Sequence, residues 1–110
     1  MSEKRKKFRA PLDVYLNKYV SGVPYMARAA DISTEGVNLA HLIEPQHHRK
    51  RVGLQFQLPG TDEVIYAEGE VVREWLGNGS TEGSGVRFTL LTERHRRLIE
   101  GYVARHATEN

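Results

Sequence analysis

Two short polar segments carry side chains that could bind a ligand. Arg5-Lys6-Lys7-Phe8-Arg9 sets two guanidinium groups four residues apart, and Asp31-Ile32-Ser33-Thr34-Glu35-Gly36 combines a carboxylate, a hydroxyl and a glycine. Arginine offers a planar fork of donors that can clamp a phosphate or stack on a flat ring. A carboxylate accepts hydrogen bonds, and a hydroxyl both donates and accepts them. These residue types favour binding of a polar, anionic ligand.

The basic residues of the chain are concentrated near its start. Five of the sixteen lysines and arginines lie within residues 4–9, although the net charge of the whole chain is only +2. This local density favours an anionic partner. The alternative is a solvated, flexible arm without a ligand.

No set of residues typical of catalysis or metal binding accompanies these segments. His41 precedes the pair His47-His48, but adjacent histidines on an extended segment point in opposite directions and no acidic cluster completes a metal site, so we expect a polar loop. The chain lacks cysteine, a P-loop, a dinucleotide-binding glycine pattern and a serine in a nucleophile elbow. We therefore expect no enzyme activity, no metal and no cofactor.

The sequence shows no feature that would direct the protein to a membrane. No apolar run follows the basic N-terminal residues, so they do not form a secretory signal. The apolar stretches are only a few residues long, far short of a membrane span. We expect a soluble, cytoplasmic protein without membrane insertion.

The elements that would position the two segments are predicted to be strands. Apolar and polar residues alternate over most of positions 12–90, the period of a half-buried strand. We predict strands over residues 12–17, 25–32, 37–39, 52–58, 64–75 and 86–90, with a bulge near Gly69. Residues 33–36 form a turn, residues 59–62 a hairpin connection, and residues 41–50 a loop. Three glycines predict a flexible loop over residues 76–84.

One helix follows the strands. Leu98, Ile99, Tyr102 and Val103 lie on one helical face, and Thr92 is a suitable N-cap. We predict a helix from about Glu93 to His106. Six antiparallel strands favour a barrel, which closes its own edges, with the helix packed against one opening.

The chain is therefore expected to be one all-β domain with a C-terminal helix. Residues 1–10 would form a flexible basic arm, residues 11–106 the barrel and helix, and residues 107–110 a frayed tail.

Taken together, the motifs resemble the PilZ domain family. The family pattern pairs Arg-x-x-x-Arg before the first strand with Asp-x-Ser-x-x-Gly between the second and third strands. Gly69-Glu70-Val71-Val72-Arg73 and Gly85-Val86-Arg87-Phe88 extend the similarity, which covers Glu3 to about Val103. The resemblance implies a six-stranded antiparallel barrel that binds cyclic di-GMP on its outer surface.

The resemblance also implies roles for individual residues. Arg5 and Arg9 would grip guanine O6 and N7 or clamp a phosphate, as a guanidinium fork permits. Asp31 would accept hydrogen bonds from guanine N1 and N2, and the Ser33 hydroxyl would add a further contact. Gly36 would either allow a positive φ or a close approach to the ligand, or serve only as a turn glycine. We expect Arg9 and Asp31 to be exposed, so that replacing either one barely changes stability.

Two further residues bear on the site. Lys4 stands where many family members carry another arginine, so it is only an auxiliary ligand contact, and either one ligand or an intercalated pair could bind. Trp75 is expected in the core or at the barrel rim rather than as a surface on which a base stacks.

The function that follows is that of a cyclic di-GMP sensor. Binding would order the N-terminal arm and alter contact with an unidentified protein partner, such as motility, pilus or polysaccharide machinery. The alternative is a PilZ-fold protein-interaction module that does not bind the nucleotide. Nucleic-acid binding is disfavoured by the net charge of +2 and the absence of a basic stripe across the strands.

Overall fold

A computed structural model describes residues 8–41, 49–77 and 80–108 of the chain. Six strands precede one helix: β1 (Ala10–Val20), β2 (Val23–Ile32), β3 (Gly36–His41), β4 (Arg51–Gln57), β5 (Val64–Gly77), β6 (Ser80–Leu91) and α1 (Glu93–Thr108). The strands close into a barrel in the order β1-β2-β3-β6-β5-β4 with antiparallel neighbours. The predicted fold, a six-stranded antiparallel barrel with a C-terminal helix, is confirmed.

The barrel interior is filled by the apolar half of each alternating strand. Small and branched side chains dominate it, with Phe56 as the one phenylalanine among the fully buried residues that the structure describes. Every strand contributes, as shown by the buried residues Leu16, Ala29, Val37, Leu54, Ile65 and Val86. Because burial depends on a period of two, this part of the fold follows directly from the sequence pattern.

The helix packs against the barrel through the predicted apolar face. Ile99, Tyr102 and Val103 are buried and belong to the same core as the strands. The Tyr102 hydroxyl donates to the carbonyl oxygen of Pro11 at 2.7 Å, which ties α1 to β1. Thr92 is the N-cap, since its Oγ1 accepts the backbone N–H of His95 at 3.2 Å. The helix continues to Thr108, two residues beyond its predicted end.

The predicted loop over residues 76–84 is wrong. β5 continues to Gly77 and β6 begins at Ser80, with Trp75 opposite Gly83 and Leu76 opposite Thr81. Gly83 does not mark flexibility, because a Cβ there would lie 2.7 Å from the carbonyl oxygen of Leu39. The glycine is required by the close approach of neighbouring strands.

The predictions of a bulge at Gly69 and of a loop over residues 41–50 have different outcomes. The bulge at Gly69 is confirmed by a register shift between Glu68 and Gly69 in the β5–β6 pair. Most of the predicted loop at 41–50, including His47 and His48, lies outside the described residues. In the described part of the chain, no helix is both long enough and apolar enough to cross a membrane.

Candidate functional site

A bulge in β2 turns Asp31 toward the outside of the barrel. Ala29 and Ile32 are both fully buried, although residues three apart on a regular strand face opposite sides. The register of β2 against β3 shifts between Ala29 and Asp31, so that Ala29 faces Leu39 and Asp31 faces Asn38. The extra residue, Ala30, is exposed. Asp31 therefore joins the outer surface one residue before the strand returns to the core.

Arg9 binds the Asp31 carboxylate directly. Its Nε donates to Asp31 Oδ1 at 2.6 Å, and the two side chains are 35% and 32% exposed. Asn38 Nδ2 donates to the same oxygen at 2.9 Å. The expectation that Arg9 and Asp31 are simply exposed is therefore only partly right, because both are half-buried and bonded to each other. A charge-assisted bond of this kind holds both groups in a fixed orientation.

The turn that follows β2 is built around Ser33. The Ser33 N–H donates to the Gly36 carbonyl at 2.8 Å, and Ser33 Oγ accepts the N–H of Glu35 at 3.1 Å. Arg9 reaches the same turn, with Nη1 3.3 Å from Ser33 Oγ and Nη2 3.4 Å from the Gly36 oxygen. Ser33 is only 1% exposed, so its main observed role is to shape the turn.

Gly36 is required by strand packing. A Cβ at this position would collide with the carbonyl oxygen of Val86 on β6, which pairs with Gly36's neighbour Val37. The glycines with positive φ in the described residues are Gly22 and Gly60, so Gly36 does not adopt that conformation. The sequence left open a positive φ, a close approach to the ligand or a simple turn glycine. The structure shows a close backbone approach at Gly36, but the neighbour is strand β6.

The structure thus brings together four of the predicted site residues: Arg9, Asp31, Ser33 and Gly36. Arg5 and Lys4 lie outside the described residues. Asn38 was missed by the sequence analysis. Its position opposite Asp31 depends on the β2 bulge, which the alternating pattern alone does not reveal.

A shallow groove of about 380 Å³ continues from Asp31 along the outer face of the barrel. We call it the β2–β5 groove; it is lined by Ala30, Asp31, Asn38, Leu39, Ala40, Trp75, Glu82 and Gly83. Trp75 is 44% exposed and lies in this groove, so of the two expected positions, the core or the barrel rim, the core is excluded. The Arg73 guanidinium lies 5.5 Å from the centre of the Trp75 ring.

Two other grooves in the described part of the chain do not include residues of the two sequence motifs that meet at Asp31. A larger groove, of about 500 Å³, is lined by residues that include Tyr19, Arg51 and Tyr66 but by none of the predicted ligand contacts. Outside the site, a hydrogen bond from Arg94 holds the pKa of Glu63 below its ordinary value of 4.5. Among the described residues, no three His, Asp or Glu side chains lie close enough to hold a metal ion.

Fold and geometry together define a small closed-barrel domain with a polar site on its outer surface. The sequence profile of the PilZ domain family matches residues 3–105, so the chain belongs to the PilZ domain family. PilZ domains are cyclic di-GMP-binding effector domains rather than enzymes. Among curated protein sequences, none matches this chain.

Two solved structures share the fold at low sequence identity. The Bacillus subtilis inhibitor of motility, MotI/DgrA, superposes with a TM-score of 0.82 at 12% identity over 99% of this chain. The match covers 54% of that protein, so this chain spans about half its length. The PilZ domain of Escherichia coli YcgR, solved with c-di-GMP, has a TM-score of 0.68 at 14% identity. That match covers 97% of this chain and 94% of the YcgR domain.

Proposed function

We propose that this chain is a sensor domain that binds cyclic di-GMP on the outer face of its barrel. The observation that carries the proposal is the meeting of Arg9 with the Asp31 carboxylate, at 2.6 Å, on the surface beside the Ser33 turn. Family membership supports the ligand. The geometry supports the place, because a forked cation and a carboxylate are both within reach of one bound base.

The chemistry of guanine matches these two groups on opposite edges. O6 and N7 are acceptors that suit a guanidinium fork, whereas N1 and N2 are donors that suit a carboxylate. When ligand binds, guanine would take the acceptor capacity of Asp31 that Arg9 now uses. Arg9 would then turn to guanine or to a phosphate, and Arg5 would add a second fork. Adenine lacks the O6 acceptor and the N2 donor, so the same arrangement disfavours it.

The N-terminal arm provides a means to convert binding into a signal. Arg9 directly precedes β1 and contacts Asp31 on the barrel surface. Ligand contacts by Arg5 and Arg9 would fix the arm across the barrel face and so alter the surface offered to a protein partner. Motility, pilus and polysaccharide machinery are the partner classes that we propose, with the domain acting in the cytoplasm.

The site is tested by calorimetric titration with cyclic di-GMP. Separate titrations with GTP and cyclic di-AMP are the controls for specificity. We expect binding of cyclic di-GMP alone, weakened by about 1–3 kcal/mol in Arg9→Ala and in Asp31→Ala, since each loses a charge-assisted contact. Arg94→Ala is the matched control, because Arg94 also donates to a carboxylate at 2.6 Å, but to Glu63 in the β4–β5 connection.

Two outcomes would count against the proposal in different ways. Undiminished affinity in both Arg9→Ala and Asp31→Ala would remove the site. Absence of binding to any of the three nucleotides would favour a PilZ-fold interaction module that uses no nucleotide. The arm is tested separately by amide hydrogen exchange of residues 4–9, which should become more protected with ligand. Equal protection with and without ligand would remove the switch.

A further inference from the structure

We propose that the outer face of the barrel around β1 and β4 binds a second copy of this chain, so that two barrels pack face to face about a two-fold axis. We call this surface the β1–β4 face. It is defined by the outward residues Tyr15, Asn17, Met26, Gln55, Val64 and Tyr66. The face contains no residue of the two sequence motifs, so the inference goes beyond the proposed function and does not depend on it.

Large apolar side chains are exposed on the β1–β4 face. Of the nine exposed large hydrophobic side chains in the described residues, four lie here: Tyr15, Met26, Val64 and Tyr66, each between 44% and 65% exposed. The first three of them line a groove of about 330 Å³. Single exposed apolar residues are normal on a protein surface, but a cluster of them typically marks an interaction site.

The groove at the centre of the face is uncharged, in a chain of which 27% is charged. None of its eight lining residues, all within the described part of the chain, carries a charge. Two ion pairs border the face: Arg28 of β2 with Asp13 at 2.9 Å, and Arg94 of α1 with Glu63 at 2.6 Å. Two copies that each carry a net charge of +2 can therefore meet at this face without bringing like charges together.

Strand register gives the face a symmetric arrangement. One row of facing residues crosses β2, β1, β4 and β5, in the order Met26, Asn17, Gln55, Tyr66. The two amides form the middle of the row, where Asn17 Nδ2 donates to Gln55 Oε1 at 3.2 Å. An apolar side chain stands at each end, and three strand spacings of about 4.8 Å separate the two ends by about 14 Å.

This symmetry makes the face complementary to itself. A two-fold axis parallel to the strands, through the middle of the row, sets Met26 of one copy opposite Tyr66 of the other and sets amides opposite amides. In the adjacent row, Tyr15 comes within one strand spacing of Val64 of the other copy, a gap that a tyrosine ring can span. Apolar groups thus meet apolar groups, as in two sheets that pack with aligned strands about 10 Å apart.

The size of the face sets the strength of the dimer. Four strands and two to three rows of outward side chains, about 6.7 Å apart, cover roughly 250–400 Å² per copy. A stable interface buries about 800 Å² per partner. We therefore expect a weak dimer, with a dissociation constant of about 0.1–1 mM, that forms at high local concentration and dissociates on dilution.

Sedimentation equilibrium at concentrations that span this range tests the association. The parent should change from monomer to dimer as its concentration rises. Met26→Glu should raise the dissociation constant about 10-fold or more, because it buries a charge against an apolar ring. Val72→Glu is the matched control, since Val72 is also an exposed apolar residue but lies on β5 six residues beyond Tyr66 and outside the face. A parent that stays monomeric throughout, or an equal loss in the two variants, would overturn the inference.

The two-fold arrangement is tested by placing opposite charges on the two positions that it brings together. Tyr66→Lys alone should weaken the dimer as Met26→Glu does. An equimolar mixture of the two variants should form a heterodimer, because the axis sets the new lysine opposite the new glutamate. The arrangement is refuted if the mixture stays monomeric while each variant keeps the melting temperature of the parent.

Asn17→Asp gives a further test that keeps the shape of the side chain. The axis would hold the two new carboxylates about one strand spacing apart, so the dimer should weaken about 5-fold or more at low salt and recover as salt screens the charges. Unchanged association of Asn17→Asp at low salt would contradict a contact between copies at the β1–β4 face.

Discussion

The outer surface of the barrel has two contrasting sides. On the ligand side, which carries Arg9, Asp31 and the β2–β5 groove, the pairs β2–β3 and β5–β6 contain register shifts. On the opposite side, the described pairings of β1 with β4 and of β4 with β5 run without a shift. One groove on that side is lined by uncharged residues, which include Tyr15, Asn17, Met26, Gln55 and Val64.

The two sides differ in how far their strands depart from regular geometry. A bulge adds one residue and lets two consecutive side chains share a face, as Ala30 and Asp31 do. Glycines at positions 36, 83 and 85 then let strands and side chains approach closely on the same side. Irregular backbone thus occurs where polar groups converge, and β1 has a further register shift against β2 between Pro11 and Val14. The described pairings of β4 with its two neighbours remain regular.

The largest expected effect comes from Gly36→Ala on the ligand side. The new Cβ would collide with the Val86 carbonyl, which forces β3 away from β6, and we expect a loss of about 3 kcal/mol in stability. Gly22→Ala is the comparison: Gly22 has a φ of 81° but no atom within 4 Å, so only backbone strain opposes the substitution. That strain should cost about 1 kcal/mol.

Urea denaturation of both variants measures the two costs. An equal loss in Gly36→Ala and Gly22→Ala would show that β3 and β6 can separate at a cost of only about 1 kcal/mol, well below the cost expected from the collision. A larger loss in Gly36→Ala would show that this glycine is retained for packing, whether or not it also contacts ligand.

The regular part of the molecule could be predicted from sequence, and the reason is physical. Burial of alternate residues needs only a period of two, so the strands that contain Leu16, Leu54 and Ile65 follow from the pattern. The helix followed from its apolar face and from Thr92. The β5–β6 hairpin was missed because glycine usually marks a loop, whereas Gly83 here permits close strand packing.

Site residues were predicted only where they belong to short motifs of neighbouring residues. Arg9, Asp31 and Ser33 belong to short motifs, and the structure brings them together. Asn38 and Trp75 depend on bulges in β2 and β5, which change the face that each residue occupies. A bulge is a property of strand pairing, so a single strand's alternation does not disclose it.

An intermediate effect is expected from Ser33→Ala. Ser33 Oγ is buried and accepts the Glu35 N–H in a part-buried hydrogen bond, so removing the hydroxyl loses this bond and should cost about 1–2 kcal/mol. Thr61→Ala is a matched control, since Thr61 Oγ1 accepts the Glu63 N–H at 3.2 Å in the more exposed β4–β5 connection. We expect at most about 0.5 kcal/mol there.

Equilibrium denaturation of the two variants shows whether the free energy of unfolding depends more on the side-chain hydrogen bond of Ser33 than on that of Thr61. If Thr61→Ala were as costly as Ser33→Ala, the two turns would be energetically equivalent and burial of Ser33 would have no consequence. Ligand titration of Ser33→Ala then separates the effect on the turn from any direct contact with guanine.

The smallest expected effect concerns an ion pair away from the ligand side. Arg94 Nε donates to Glu63 Oε2 at 2.6 Å, and His95 Nε2 lies 3.3 Å from the same oxygen. The Arg94 hydrogen bond holds the pKa of Glu63 below 4.5 in the folded protein. The stabilisation from this pair is therefore fully present above pH 4.5 and is lost as pH falls through the lowered pKa.

Glu63→Gln removes the charge, so its melting temperature should lie slightly below that of the parent at pH 7 and converge with it in acid. Thermal unfolding across this pH range measures the gap. A gap that stayed constant below pH 4.5 would mean that packing, rather than charge, accounts for the effect of the substitution. Affinity for cyclic di-GMP at pH 7 should not change, because Glu63 lies in the β4–β5 connection outside the β2–β5 groove. A change would show that the two sides of the barrel are energetically coupled.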